Sequence, residues 1–252
     1  MTAFEEAKLA GLLQLQRRAG IGTLKERSLH AVLKYWVQPD DRCHEVPLDG
    51  FVADCFDGER VTEIQTGGFS HMDKKLTAFL PKYPVMIVYP VTRYKRLIWV
   101  DPETGETTPP RRSPKKGQLW DAFPELFWIA THIPHPGLTV RLVMVDIDEY
   151  RRLDGWGNGG KRGSHRAERL PLEIGDSRLL RTPADYAALL PAELPSPFTT
   201  ADAGKLLRQK GRTLGRSVNF LYKIGAVERI GKQGNAYLYQ RNTKGVYFRT
   251  PT

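Results

Sequence analysis

Residues 45–76, EVPLDGFVADCFDGERVTEIQTGGFSHMDKKL, constrain this chain more than any other stretch. Val46 to Cys55 is rich in β-formers, Phe56-Asp57-Gly58-Glu59 holds an Asp-Gly turn, and Arg60 to Thr66 reads as the returning strand. An Asp-Gly pair between two such runs predicts a β-hairpin. Thr66-Gly67-Gly68 ends it, and a helix follows, with Ser70 as its cap and Asp73 three residues on. Leu76, Phe79 and Leu80 give that helix an apolar stripe. Strands followed directly by an amphipathic helix imply an α/β class.

Side chains alternate along a strand, so Glu63 and Gln65 share a face. The hairpin can fold Asp49 back beside Glu63. Two carboxylates side by side repel each other, and such a pair is suited to a hard divalent cation, which takes oxygen ligands, keeps several waters and prefers phosphate as its remaining partner. Asp54 is the rival of Asp49. It has the opposite parity along the strand, so only one of the two faces Glu63 unless a bulge intervenes.

An Asp, a hairpin, an acid-x-Lys pair and a helix make up the core of the PD-(D/E)xK nuclease superfamily, which this stretch resembles. The resemblance covers roughly residues 26–150 and implies a restriction-endonuclease-like mixed sheet flanked by helices. Asp49 stands for the motif's Asp, Glu63 for its acid, and Gln65 occupies the Lys position in a Glu-x-Gln variant. The chain is also similar to a prokaryotic family that joins such a domain to a winged helix. The resemblance implies Mg2+ or Mn2+ on Asp49 and Glu63, with the Ile64 carbonyl as a third oxygen. It also implies a catalytic role for Gln65. Gln65 can orient water but carries no charge, so the missing cation is expected from Lys75, ahead of Lys74, on the following helix. Many members carry a Glu on the preceding helix that points at the metal, and Glu26 is the residue here. As the third residue after Thr23 in a capping box, it also has a purely structural role.

That preceding helix is predicted from Thr23 to about Val37, with Leu29, Val32, Leu33 and Trp36 as its buried stripe, after a looser helix over Phe4–Arg18. Val85 to Val91 is a continuous apolar run and reads as a central strand. Arg93 to Val100 and Val140 to Ile147 read as further strands, and Gln118 to His132 as a helix with Trp120 and Trp128 packing rather than stacking on bases. Arg111, Arg112, Lys115 and Lys116 lie on a proline-bearing loop that could clamp phosphate or simply keep the surface soluble. Asp154 to Arg169 is rich in glycine and in cations, Lys161 and Arg162 among them, and predicts a mobile basic loop suited to phosphates.

The whole chain carries a net charge of +10, distributed unevenly. Residues 1–150 hold 19 Lys and Arg against 20 Asp and Glu, while residues 151–252 hold 19 against 8. A basic block appended to a neutral one is the electrostatic footprint expected for nucleic-acid binding. Cys43 and Cys55 have neither metal spacing nor a disulfide framework and point to a reducing compartment. The acidic start lacks a signal peptide's basic and apolar regions, and the longest apolar run, Tyr83 to Val91, is too short to span a bilayer. A cytoplasmic protein without a membrane role is expected.

Beyond a proline-bearing segment, the order of elements becomes helical and ends in a basic hairpin. Helices are predicted over Pro183–Leu190, from Thr199 or Thr200 to Gln209, and over Thr213–Ile224. Strands follow at Ala226–Ile230 and Ala236–Gln240 around Gly231-Lys-Gln-Gly234. This order resembles a winged helix. On the third helix Arg212, Arg216, Asn219 and Lys223 form one polar stripe suited to base edges and phosphates, with Lys232 on the wing touching backbone.

The expectation is therefore two domains, a nuclease-like domain over residues 1–175 (core about 23–150, basic loop 154–169) and a winged helix over 176–252. The implied activity is metal-dependent hydrolysis of phosphodiester bonds in duplex DNA, with a role in mobile elements or defence by analogy to a transposon endonuclease subunit. A homodimer or a protein partner in a larger complex is compatible with this. The alternatives are a non-cleaving DNA-binding adaptor or regulator with a degenerate nuclease fold, and an RNase.

Overall fold

The computed structural model describes residues 1–18, 28–155 and 163–242. In chain order the helices and strands are α1 (Ala3–Arg18), α2 (Ser28–Val37), β1 (His44–Leu48), β2 (Phe51–Phe56), β3 (Val61–Ile64), α3 (Met72–Phe79), β4 (Val85–Val100), β5 (Arg111–Arg112), α4 (Phe123–Leu126), β6 (Leu138–Gly155) and β7 (Gly163–Leu180). They continue with α5 (Pro183–Ala187), β8 (Phe198–Thr199), α6 (Thr200–Leu207), α7 (Gly211–Lys223), β9 (Val227–Gln233) and β10 (Ala236–Arg241). Seven strands form one mixed sheet in the order β1-β2-β3-β4-β6-β7, with β5 on β4. β2 and β3 are antiparallel, β3 and β4 parallel. A parallel pair needs a crossover, and here it contains α3. The remaining strands form a second sheet in the order β8-β10-β9.

The hairpin departs from expectation at its start. The run from Val46 to Cys55 is two strands, not one, because Asp49 and Gly50 both take left-handed backbone angles, φ 49° and 80°, between β1 and β2. Positive φ at both central positions is what an Asp-Gly type I′ turn requires. At the second Asp-Gly pair, Asp57 Oδ1 accepts hydrogen bonds from the N–H groups of Glu59 and Arg60. The following helix starts without the expected Ser70 cap. A 3-10 turn, Phe69–His71, leads into α3 instead.

Three further expectations change. Arg93 to Val100 is no separate strand but the second half of β4. Residues 163–169 belong to β7, so the expected mobile loop is partly sheet, and Arg169 is buried within it. β6 supplies the backbone partners beside it. The Gln118–His132 helix is broken into short turns around α4, where Pro124 lacks the N–H that a longer helix would need.

The chain forms two compact units that do not follow sequence order. One comprises residues 1–46, 90–118 and 143–176, and the other residues 47–89, 119–142 and 177–252. The predicted boundary was 175/176. The C-terminal residues share a unit with the hairpin and α3.

In the first unit α1 and α2 pack closely: a Cβ on Gly11 would come within 2.9 Å of the Val32 backbone. Leu29, Val32 and Leu33 of α2 are buried, as their spacing predicts. Paired charges line β4 and β6. Arg93 grips Asp146 through two hydrogen bonds of 2.8 and 2.7 Å, and Arg96 grips Asp148 at 2.6 and 2.7 Å. In the second unit Phe69, Leu76, Phe79, Ile87 and Val88 form the core around α3 and the start of β4. Phe220 of α7 packs on Phe123 and Tyr186, with ring centroids 5.7 and 5.6 Å apart. α5 and α6 both begin with capping boxes, Thr182 with Asp185 and Thr199 with Asp202.

Candidate functional site

The hairpin register decides which acid meets Glu63. Cys55 lies opposite Thr62 and Phe56 opposite Val61. One further step of that register sets Asp54 opposite Glu63, and directly opposed side chains share a face. Asp54 Oδ2 accepts a hydrogen bond of 2.7 Å from the Ile64 N–H. Asp49, the acid predicted from the sequence, sits instead in the β1–β2 turn, with its carboxylate 2.5 Å from Lys82 Nζ. The correction has a simple cause. The type I′ turn ends the strand at Leu48, so parity counted back from Asp54 does not carry through to Asp49.

Glu63 is 2 % exposed, on a strand buried at every position. Lys75 on α3 reaches it, with Nζ 2.7 Å from Oε2. The other oxygen, Oε1, is buried and has no hydrogen-bond partner among the described residues. Burial and then the neighbouring Asp54 charge push the Glu63 carboxyl up to about 7, against the pull of Lys75. Lys74 is exposed. Gln65 donates its backbone N–H to Val88 at 2.9 Å and its side-chain amide to the Gly68 carbonyl at 2.5 Å. In the first turn of α3, Asp73 Oδ1 is 2.8 Å from Nε2 of His132.

Two adjacent carboxylates, one with a bare buried oxygen, match what a hard divalent cation seeks. Such an ion would relieve both the orphaned Oε1 and the repulsion that raises Glu63. Among the described residues no three His, Cys, Asp or Glu side chains gather as metal ligands, so an ion here would rest on Asp54 and Glu63 and would keep other oxygen ligands. Glu26 lies outside the described residues, as do Lys161 and Arg162.

The predicted nucleic-acid residues fall into three groups. Arg111 and Arg112 form β5, and both they and Lys115 and Lys116 are exposed. Arg112 and Lys116 stand over the Tyr94 ring, at 4.3 and 5.5 Å. On α7, Arg212, Asn219 and Lys223 are exposed and Arg216 is half-buried. Arg216 lies 5.0 Å from the Trp128 ring centroid and Lys223 4.8 Å from that of Phe127. Trp128 is itself 45 % exposed, which the packing role read from the sequence does not require. Lys232, on β9, lies 5.1 Å from the Tyr237 ring, which Arg229 approaches at 4.2 Å.

Residues 27–181, more than half of the chain, match the family described as Domain of unknown function (DUF8091). The chain belongs to the DUF8091 family. The DUF8091 segment spans α2 to β7 and so contains Asp54, Glu63, Gln65 and Lys75 together with the Arg111–Lys116 cluster, while α7 and Lys232 lie beyond it. A protein of Treponema pallidum (strain Nichols) described as "Uncharacterized protein" is 29 % identical over 231 residues, which covers 89 % of this chain and 89 % of that one. No solved structure matches the chain. No helix among the described residues is long and apolar enough to cross a membrane.

Sequence reasoning weighed Asp54 and set it aside. The signal that could have promoted it is the Asp49-Gly50 pair, which marks a turn as plainly as Asp57-Gly58 does. Tyr94 carried no signal, because its role depends on which cations the strands around it bring near.

Proposed function

We propose that this chain is a metal-dependent nuclease of the PD-(D/E)xK type that cuts DNA, with Asp54, Glu63 and Lys75 at its centre. The observation that carries the reading is the pairing of Asp54 with a buried Glu63 whose Oε1 is bare and whose Oε2 meets Lys75 at 2.7 Å. Support also comes from the order of elements, a helix, three strands, a crossover helix and a strand parallel to the third. The resemblance implies a helix, one hairpin, a helix and a further strand, so β1 stands in addition to that order.

Asp54 and Glu63 would hold Mg2+ or Mn2+. A cation there supplies positive charge to the phosphate and makes water easier to deprotonate. Lys75 favours the ionised form of Glu63 and brings the charge that Gln65 lacks. Gln65, tied to Gly68, braces the loop after β3, and its amide can orient a water but carries no charge. Residues 176–252 are read as a winged helix whose α7 carries Arg212, Arg216, Asn219 and Lys223 to duplex DNA, with Lys232 on its wing.

A second reading, a non-cleaving DNA-binding adaptor, draws on the neutral Gln65 and on the bond that occupies its amide. The test uses the purified full chain with Mg2+ or Mn2+ on duplex DNA, single-stranded DNA and RNA, beside Glu63→Gln. Metal-dependent DNA cleavage lost in the variant is expected. Binding without cleavage of any substrate would favour the adaptor, cleavage of RNA alone an RNase, and equal cleavage by both proteins would remove the site.

A further inference from the structure

We propose that Arg112 and Lys116, gathered over Tyr94 by a strap of chain fastened to β4, form a docking point for the phosphodiester backbone of nucleic acid. The inference takes its partner from the nucleic-acid reading above and adds a second contact surface to it, within the DUF8091 segment.

The strap is residues 111–117. Arg112 pairs with Arg96 and Arg111 with Leu97 across β5 and β4. The Ser113 N–H donates to the Lys95 carbonyl at 2.8 Å and the Gly117 N–H to the Arg93 carbonyl at 2.9 Å. At Gly117 the approach is so close that a Cβ would stand 1.9 Å from the Thr92 carbonyl oxygen. Pro109, Pro110 and Pro114 limit the freedom of what remains. A loop that only kept the surface soluble would need none of this.

The fastening draws cations together. Arg112 lies 4.3 Å and Lys116 5.5 Å from the Tyr94 ring centroid, and Arg93 lies 5.5 Å from the same ring. Arg93 is matched: both of its arms engage Asp146, and one also reaches Glu173 at 3.2 Å. The Asp146 charge is felt by Arg112 as well, but the hydrogen bonds shown to its oxygens come from Arg93 and the Tyr94 N–H. Positive charge therefore exceeds negative around Tyr94. A π-face attracts a cation without neutralising it, so the N–H donors of Arg112 and Lys116 remain able to grip an anion. A guanidinium fork beside an ammonium is suited to phosphate oxygens. An extended, exposed strap suits a polymer backbone better than an enclosed small ligand.

The test measures binding of the full chain to a labelled DNA duplex in chelator, where no cleavage interferes, across a salt series. Arg112→Ala/Lys116→Ala is compared with Arg111→Ala/Lys115→Ala, which removes equal charge from the same strap. Loss of two phosphate contacts should weaken binding and reduce the slope of log K against log salt by about 1.8. The 111/115 pair should change it much less. Tyr94→Ala should weaken binding too, and Tyr94→Phe should not. If the 112/116 variant unfolds, Arg112→Gln/Lys116→Gln keeps the stems and answers the same question. Equal losses from both charge pairs would reduce the effect to net charge and overturn the docking point. An unchanged slope while wild type binds DNA would overturn it and leave the α7 reading standing. No binding by wild type at low salt would remove both.

Discussion

Lys75 on α3 and Glu63 on β3 meet at 2.7 Å through one carboxylate oxygen, and the other oxygen of Glu63 is left buried and bare beside Asp54. That bare oxygen is what makes this place on the sheet a candidate for a metal ion, since a buried acceptor without a partner costs about 1–3 kcal/mol.

Exchange of the two rival aspartates should separate them. Asp54→Asn keeps an acceptor for the Ile64 N–H and removes the charge beside Glu63, so metal-dependent cleavage should fall by at least the roughly 10–100-fold that outer-shell partners alone can cost. Asp49→Asn loses only a surface pairing with Lys82 and should cleave within about threefold of wild type, in keeping with the small worth of exposed ion pairs. Cleavage rates on one duplex measure both, and the reverse ranking would restore Asp49.

Stability should depend on pH through Glu63. Its carboxyl is raised from 4.5 to about 7 by burial first and then by Asp54. The folded chain therefore binds this proton more tightly than the unfolded chain. The associated stability is fully present below about 4.5 and is lost as pH climbs through 7, a change of roughly 3 kcal/mol. Urea unfolding in chelator should show that decline, and Glu63→Gln should flatten it. Added Mg2+ should bind better above this window, because the ion displaces the proton. Identical pH profiles for wild type and variant would count against the raised value.

The two lysines of α3 should differ sharply. Lys75→Ala leaves Glu63 buried without its donor and should cost about 1–3 kcal/mol of stability along with most cleavage. Lys74 is exposed, so Lys74→Ala should stay within about 0.5 kcal/mol of wild type. Lys75→Arg should recover part of the loss. Denaturation midpoints and single-turnover rates give the comparison, and equal effects would move the cation elsewhere.

Arg216→Ala should weaken duplex binding by roughly 1–3 kcal/mol if it reads a base edge. The full chain is the right material, because α7 packs through Phe220 on Phe123 and Tyr186. Trp128→Ala should also weaken binding, by releasing the guanidinium it holds at 5.0 Å. Binding by fluorescence anisotropy that is insensitive to both changes would leave α7 facing something other than DNA.

The sequence by itself determined what local chemistry decides. The Asp57-Gly58 turn, the helix start at Thr199, the buried Leu29, Val32 and Leu33 of α2, the apolar run opening β4 and the basic surplus after residue 150 are all properties of neighbouring residues. So were Glu63 and Lys75 as site residues to inspect. Tertiary structure decided what depends on registration between distant segments. The turn at Asp49 and Gly50 and the pairing of β2 with β3 put Asp54 opposite Glu63. Pairing with β6 made residues 163–169 sheet, and the fastening of residues 111–117 to β4 brought cations to Tyr94. A one-residue change of register turns every side chain of a strand to the other face. The face an acid presents is therefore settled by its partner strand and the turn that leads to it, and spacing along the chain alone cannot supply either.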